Sequence, residues 1–285
     1  MTRFKQHKEL PIKYIQNKLK EFFNEDDIDN DLTTQLVFSR EKEAEAVFIA
    51  KENLVFAGKA IIEEAFFNCK IISIKNDGDM IAEGQSIAKI KGDIRSILKK
   101  ERVVLNLIQR LSAIATKVSK LVQITKEKGI ELLDTRKTTP GLRLFEKFAV
   151  VVGGGTNHRF SLSSSVMLKD NHLSHTSSIL KSVKQVKNLA KGKDIQVEAD
   201  TVDLINQILQ SEASSILLDN FKPKKLSEVV DKIRTHPKGK NIYIELSGGI
   251  TEQTLESFCV LGVDGISMGA LTHNVKNVDI SLDIK

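Results

Sequence analysis

The sequence predicts an α/β protein: a small N-terminal α+β sandwich domain followed by an incomplete TIM-like α/β barrel. From residue 130 onward, short apolar runs alternate with amphipathic segments, with strand-to-strand steps of roughly twenty to thirty residues, as in repeated βα units. Before that point, residues 43–92 hold short β-like runs separated by glycine-punctuated turns. We therefore expect domains at 1–112 and 113–285, with the extreme C-terminus free to pack back on the N-terminal domain.

Two helices are expected before the repeated region. The first covers residues 11–24, where apolar side chains recur at helical spacing. The second covers residues 93–126 and has the strongest amphipathic pattern of the chain, so we expect its apolar stripe to be core. The acidic stretch that follows the first helix includes Asp31, which we interpret as a helix cap.

The repeated region consists of six apolar runs and four amphipathic segments. The runs are predicted as buried parallel strands at 130–133, 166–169, 195–199, 215–219, 242–246 and 265–269. The segments are predicted as helices at 177–190, 203–210, 226–236 and 254–262. Ligands of parallel α/β proteins bind at the carboxyl ends of strands, so polar residues at those positions are candidates. They are Arg136, Lys169, Glu198, Asp219, Glu245, Ser247 and Ser267.

Composition argues against several classes of protein. The chain has 43 basic and 37 acidic residues, a net charge of +6, no Trp and only two Tyr. The positive charge is scattered and aromatic residues for base stacking are scarce, so we expect no nucleic-acid partner. No segment is long and apolar enough to suggest a membrane anchor. Cys69 and Cys259 lie far apart without a metal-site spacing, which favours a reducing, cytoplasmic location.

A basic group is predicted to bind a ligand with several negative charges. Arginine matches a carboxylate with its planar fork, lysine supplies a mobile charge, and histidine supplies a tunable donor. The group consists of Arg136, His158, Arg159 and Lys169. A solvated helix face would not alternate with hydrophobic strands as these residues do, so we favour an anion site.

An acidic pair and a phosphate site complete the candidate constellation. Glu198 and Asp219 at successive strand ends would repel an anion unless a cation or sugar hydroxyl groups intervene, which implies Mg²⁺ held by these two residues. The phosphate site is predicted from small residues in the last two units, ahead of a helix expected near Thr251. Its residues are Ser247, Gly248, Gly249, Ser267 and Gly269.

The motifs DTRKTTPGLR, GGGTNHR and KDNH resemble the quinolinate phosphoribosyltransferases, also called nicotinate-nucleotide pyrophosphorylases (carboxylating). The similarity extends over DLTT, ERVVLN, LLDN, SGGI and GALTH. It implies the substrates quinolinate and phosphoribosyl pyrophosphate, the cofactor Mg²⁺, and the products nicotinate mononucleotide, pyrophosphate and carbon dioxide. Catalytic roles are implied for Lys137, Glu198 and Asp219, and pyrophosphate binding for Lys137 and Arg102.

The resemblance also implies a homodimer with shared active sites, because Arg102 of ERVVLN would serve the neighbouring subunit. A hexamer is equally consistent with that argument. Four alternatives stay open: a ModD-like protein associated with molybdenum transport, a nicotinate phosphoribosyltransferase, a Schiff-base aldolase using Lys137 or Lys169, and a basic nucleic-acid binder.

Overall fold

The computed structural model describes residues 3–176, 178–190 and 192–285. The helices are α1 Ile12–Glu25, α2 Leu32–Val37, α3 Lys59–Ala65, α4 Ile94–Lys126, α5 Arg143–Val152, α6 Asp170–Leu173, α7 Ile179–Leu189, α8 Val202–Gln210, α9 Pro223–Thr235, α10 Leu255–Phe258 and α11 Ala270–His273, with a 3-10 turn at Ile28–Asn30. The strands are β1 Glu43–Ala50, β2 Leu54–Val55, β3 Lys70–Ile74, β4 Met80–Ile81, β5 Ser86–Asp93, β6 Glu131–Leu133, β7 Val166–Leu168, β8 Ile195–Ala199, β9 Ser215–Asp219, β10 Tyr243–Ser247, β11 Gly265–Ser267 and β12 Ile280–Ile284.

The chain forms two compact units. The described residues of the first, here called the barrel unit, fall within 3–6, 120–138 and 155–273. The second, here called the sandwich unit, comprises 7–119, 139–154 and 274–285. The predicted division at residue 112 stands inside α4, a continuous 33-residue helix whose residues pass from one unit to the other at 119–120.

The sandwich unit contains a four-stranded sheet in the order β12-β1-β5-β3 and a two-stranded ribbon of β2 and β4. The C-terminal strand β12 is antiparallel to β1. Residues 139–154 belong to this unit because the Tyr14 and Phe145 rings pack 5.1 Å apart and Arg110 forms a salt bridge with buried Glu146. Asp31 accepts a hydrogen bond from the Thr34 backbone at 3.0 Å, which confirms the capping interpretation.

The barrel unit contains a six-stranded sheet in the order β6-β11-β10-β9-β8-β7, parallel throughout. The two edge strands β6 and β7 are not paired with each other, so the barrel is incomplete, as predicted. Thr156 forms a parallel bridge with Leu133, which places the following residues along the free edge of β6. Buried aliphatic side chains of the strands and of α9 fill the core: Ile216, Leu218, Ile244, Leu246, Ile266, Leu226, Val230 and Ile233.

The predicted helices and strands are found with small shifts in their bounds, with one exception. The helix predicted at 254–262 and expected near Thr251 covers only Leu255–Phe258. Before it, Thr251 and Thr254 form a hydrogen-bonded turn. Ser177, the first residue of the helix predicted at 177–190, lies outside the described residues. Among the described helices, none combines the length and the hydrophobicity that crossing a membrane would require.

Candidate active site

The candidate residues of the barrel unit collect at the carboxyl edge of its sheet. Asp219 and Ser247 end β9 and β10 and are register partners, while Ser267 ends β11 opposite Leu133 of β6. Glu198 lies one residue before the end of β8. Glu245 is the exception, because it occupies the middle of β10 with a side chain that is only 1% exposed. Its predicted place at a strand end is therefore wrong.

Asp134 joins the two basic segments of the site. This fully buried carboxylate accepts hydrogen bonds from the Asn157 side-chain amide at 2.7 Å and from the His158 backbone N–H at 2.8 Å. Asp134 directly follows β6, and its backbone N–H donates to Thr156 O at 3.1 Å. The segment carrying Arg136 is thus held against the segment carrying Arg159, and a charged acceptor makes these bonds stronger than neutral ones.

Arg136 and Arg159 bring an excess of positive charge into a part of the site that is largely shielded from water. The Arg159 side chain is buried and donates to Ser165 O at 3.2 Å. Burial and then the neighbouring Arg136 lower its pKa below the usual value, while Glu245 opposes that effect. The Nε atom of Arg136 is buried and has no hydrogen-bond partner among the residues that the structure describes. Such a pair of guanidinium groups suits a ligand with more than one carboxylate.

His158 uses both ring nitrogens within the protein. Its Nδ1 accepts a hydrogen bond from the Arg159 backbone N–H at 2.7 Å, and its Nε2 lies 3.2 Å from Glu245 Oε2. The network therefore assigns the ring hydrogen to Nε2. Burial alone would raise the pKa of Glu245, but His158 and hydrogen bonds from His158, Ser267 and Gln196 hold it below its usual value. His158 thus also supports the backbone of Arg159, in addition to its predicted place in the anion site.

Glu198, Asp219 and Lys169 form a second charged group. Lys169 Nζ lies 3.5 Å from Glu198 Oε2. Burial raises the pKa of both Glu198 and Asp219; Lys169 partly offsets this at each group, and the charge of Asp219 adds to the effect at Glu198. A cation placed near the two carboxylates would favour their ionised forms, because it lowers the cost of holding negative charge in a half-buried place.

Asn220 ties the end of β9 to the loop after β10. Its side-chain amide donates to Asp219 Oδ2 at 2.6 Å, and its backbone N–H donates to Ser247 O at 3.0 Å. Gly248, at φ 96°, lies so close that an added Cβ would come within 2.2 Å of Asn220 Oδ1 and 2.6 Å of Asn220 N. Only glycine fits there, and its absent side chain leaves the loop backbone open to a ligand.

The backbone of Lys137 is held by a hydrogen bond from α11. Thr272 is fully buried, and its hydroxyl donates to Lys137 O at 2.7 Å. A Cβ on Gly269 would lie 2.8 Å from Lys137 Cδ, so glycine leaves room for the lysine stem. The Lys137 side chain is exposed, and its charge acts on Asp219. The structure therefore brings the predicted catalytic lysine close enough to Asp219 for its charge to lower the pKa of that carboxyl group.

Arg102 is the one predicted site residue outside the barrel unit. It lies in the third turn of α4, within the sandwich unit, and its side chain is exposed. The helix starts at Ile94, one residue after the start predicted at 93. For metals, the described residues contain no cluster of three or more His, Cys, Asp or Glu side chains able to hold an ion.

Two family models account for most of the chain. The C-terminal domain of quinolinate phosphoribosyl transferase matches residues 114–283, and its N-terminal domain matches residues 31–112. The chain belongs to the quinolinate phosphoribosyltransferase family. A probable nicotinate-nucleotide pyrophosphorylase (carboxylating) of Bacillus subtilis is 43% identical over 277 residues, which cover 95% of this chain and 93% of that protein. A chloroplastic relative of the same name in Arabidopsis thaliana is 37% identical, over 89% of this chain and 78% of its own.

Solved structures support the same assignment. A nicotinate-nucleotide pyrophosphorylase from Francisella tularensis superposes with a TM-score of 0.91 at 33% identity, covering 99% of this chain and 100% of that one. The protein of that name from Ehrlichia chaffeensis gives 0.88 at 31% identity, with 98% and 100% coverage. The chain is therefore an enzyme of the quinolinate phosphoribosyltransferase family, and its fold class is the one predicted from sequence.

Sequence reasoning missed the supporting residues of this quinolinate phosphoribosyltransferase site. Within one to three positions of predicted residues, the motifs DTRK, TNHR, LLDN and GALTH contain Asp134, Asn157, Asn220 and Thr272. Their adjacency to charged residues at strand ends was the available signal. It could not identify their distant partners, because bonds such as Asp134 with Asn157 and Thr272 with Lys137 join segments that are far apart in the chain.

Gly248→Ala tests the close approach at the phosphate loop. A methyl group would meet the Asn220 backbone and also require a left-handed conformation, so the free energy of unfolding should fall by about 1–3 kcal/mol. Urea denaturation measures the change. Gly249→Asn is the matched control, since Gly249 has φ 61°, which asparagine tolerates, and no atom lies near its Cβ position. Equal loss in both variants would contradict the predicted clash.

Proposed function

We propose that this chain transfers the phosphoribosyl group of phosphoribosyl pyrophosphate to quinolinate with decarboxylation. The products are nicotinate mononucleotide, pyrophosphate and carbon dioxide. The observation that carries the proposal is the pairing of buried Arg159 with half-buried Arg136, two positive charges against the single negative charge of the nearby Glu245. A pyridine dicarboxylate supplies two anionic groups to such a pair. The names of the relatives favour this substrate over the ModD-like, nicotinate, aldolase and nucleic-acid alternatives.

The reaction needs two polyanions to be brought together, and the charged residues serve that task. The pyridine nitrogen attacks the anomeric carbon, and the bond to the pyrophosphate oxygen breaks with its electron pair leaving on pyrophosphate. Glu198 and Asp219 stabilise the positive charge that develops on the ribose, and Lys137 neutralises the leaving group. Arg136 and Arg159 hold quinolinate by its carboxylates and so fix the angle of attack.

Decarboxylation follows from the first step without an added acid or base. Once the ring nitrogen carries the ribose, the pyridinium ring accepts the electron pair of the bond to the C2 carboxylate. Carbon dioxide leaves, and the electron pair left on C2 takes up a proton from solvent water. The guanidinium groups must release the carboxylate that is lost. Binding that is weaker for this C2 carboxylate than for the rest of the quinolinate ring therefore favours product formation.

Mg²⁺ fits the acidic pair as we propose it. Two neighbouring carboxylates with pKa values raised by burial are hard oxygen ligands that gain from a cation. Mg²⁺ binds through one or two carboxylates together with water and substrate phosphates, so the absence of a larger cluster in the described residues does not exclude it. When bound, the ion offsets the charge of the pyrophosphate. Lys169, whose Nζ lies 3.5 Å from Glu198 Oε2, would help to hold that carboxylate in place for the ion.

We also propose a homodimer with shared sites, in a reducing, cytoplasmic compartment. Arg102 is exposed on α4 and is far in sequence from every residue of the barrel edge. A second subunit offers a direct way for it to reach an anion site, and a hexamer built from such dimers satisfies the same requirement. Cys69 and Cys259 are both free thiols, which suits a reducing compartment.

A turnover assay with quinolinate, phosphoribosyl pyrophosphate and Mg²⁺, following released carbon dioxide, tests the function directly. Arg136→Lys keeps the charge but loses the planar fork, so the KM for quinolinate should rise about tenfold or more while that for phosphoribosyl pyrophosphate changes little. Arg40→Lys, at an exposed position, is the matched control. Absence of carbon dioxide release from the wild type would refute the proposal, and equal rises of both KM values would refute the role of Arg136.

Asp219→Asn tests the metal site. The amide removes one anionic ligand, so turnover should fall and the Mg²⁺ concentration for half-maximal rate should rise. Asp203→Asn, on the exposed first turn of α8, should leave both quantities unchanged. Wild-type dependence on Mg²⁺ in the Asp219 variant would remove this residue from the metal site.

Arg102→Ala and Lys137→Ala, mixed after separate purification, test the shared site. Each variant alone should be inactive, but a mixed dimer has one site with both residues intact. Random pairing makes about half of the dimers mixed, each with one of two sites restored, so about a quarter of full activity should return. Subunit exchange is followed independently with two affinity tags. No recovery despite exchange would show that Arg102 does not serve the partner's site.

A further inference from the structure

The described N-terminal residues Arg3–Gln6, here called the N-terminal arm, belong to the barrel unit. The Arg3 guanidinium donates to Ser215 Oγ at 2.8 Å and lies 4.5 Å from the ring centroid of Tyr243. Ser215 and Tyr243 are the first residues of β9 and β10. The arm therefore contacts the barrel unit at the amino ends of its strands, opposite the edge that carries the candidate active site.

Phe4, the next residue of the arm, packs against His158. Its ring stacks on the imidazole with centroids 4.5 Å apart and an interplanar angle of 28°, and the Arg3 guanidinium lies 5.0 Å from the centroid of its ring. Stacking of this kind contributes to orientation beyond the area it buries, because the ring faces prefer particular offsets. The imidazole plane is therefore set by a side chain of the arm.

Gln6 binds the residue that precedes His158. Its carbonyl oxygen accepts from the Asn157 backbone N–H at 2.7 Å, and its amide donates to Asn157 O at 3.2 Å. Asn157 in turn donates to Asp134. These two bonds satisfy both backbone groups of Asn157 in a buried place, where an unmatched group would be costly.

A continuous path leads from the arm to Arg159. His158 Nδ1 accepts the Arg159 backbone N–H, and His158 Nε2 faces Glu245, which also lies 4.0 Å from Arg3. The arm thus sets the position of the imidazole from one face and helps to fix the charge opposite its Nε2. Movement of the imidazole would move the backbone from which the Arg159 side chain extends.

We propose that the N-terminal arm is a positioning element for Arg159 and so determines the affinity of the site for its dicarboxylate ligand. Phe4 and Gln6 are positioning residues that act through His158 and Asn157, without touching the ligand. The naming of quinolinate rests on the proposed function, whereas the mechanical link from Phe4 to Arg159 does not. A guanidinium that must meet a carboxylate with two parallel bonds loses binding when its backbone shifts by a fraction of an ångström.

Phe4→Ala is the first test, with steady-state kinetics in each substrate. Loss of the stack should raise the KM for quinolinate about 3- to 10-fold, with the KM for phosphoribosyl pyrophosphate within about twofold of wild type. Gln6→Ala should show the same selective rise. Phe4→Tyr keeps the stacking ring and should restore the wild-type value. Lys5→Ala is the matched control, because Lys5 is the exposed residue between these two and should change neither KM.

Equal rises of both KM values, or a rise in the Lys5 variant as large as in the Phe4 variant, would overturn the proposal in favour of general stabilisation. A second measurement is independent of turnover. The ring ¹⁵N signals of His158, assigned with a His158→Gln variant, should shift in the Phe4→Ala protein and not in the Lys5→Ala protein. Unchanged signals in both would overturn the link even if quinolinate proved not to be the substrate.

Discussion

Two hydrogen bonds to buried Asp134 hold together the part of this protein on which the rest of the site depends. They connect the segment after β6 with the segment that runs along its free edge, and so set Arg136 and Arg159 beside each other. The two positively charged guanidinium groups repel each other, and burial strengthens the repulsion. A fixed carboxylate bonded to both segments makes the arrangement possible before any ligand arrives, which is the form of preorganisation that anion recognition requires.

The interior of the barrel is unusual in carrying charge where a closed barrel would carry aliphatic layers. Glu245 is completely buried in the middle of a central strand and accepts a hydrogen bond from Gln196 at 2.8 Å. It survives there as an anion because His158 and Arg3 face it. Arg3 reaches Glu245 from the N-terminal arm, and His158 reaches it from the segment that follows the bridge of Thr156 with β6.

The acidic pair, Glu198 and Asp219, lowers the stability of the folded protein in order to supply charged groups to the site. Burial raises the pKa of Glu198 and Asp219, which means that folding disfavours their ionised forms at neutral pH. A raised carboxylate pKa costs stability above the folded-state pKa, and the cost disappears as the pH falls below the unfolded-state pKa. Residues kept in such surroundings are typical of functional sites, where ligands supply the missing compensation.

The sequence by itself determined the alternation of strands and helices, the polar residues at strand ends and the family motifs, because all of these are local patterns of spacing. It placed Asp219, Ser247 and Ser267 at one edge, since the carboxyl ends of parallel strands must coincide. Only the tertiary structure decided that Glu245 faces inward, that Asn220 ties two loops, and that Phe4 lies against His158. These contacts join residues up to 154 positions apart along the chain, from Phe4 to His158. Periodicity reports which face of an element is apolar, whereas the partner of a buried polar group depends on how distant elements pack.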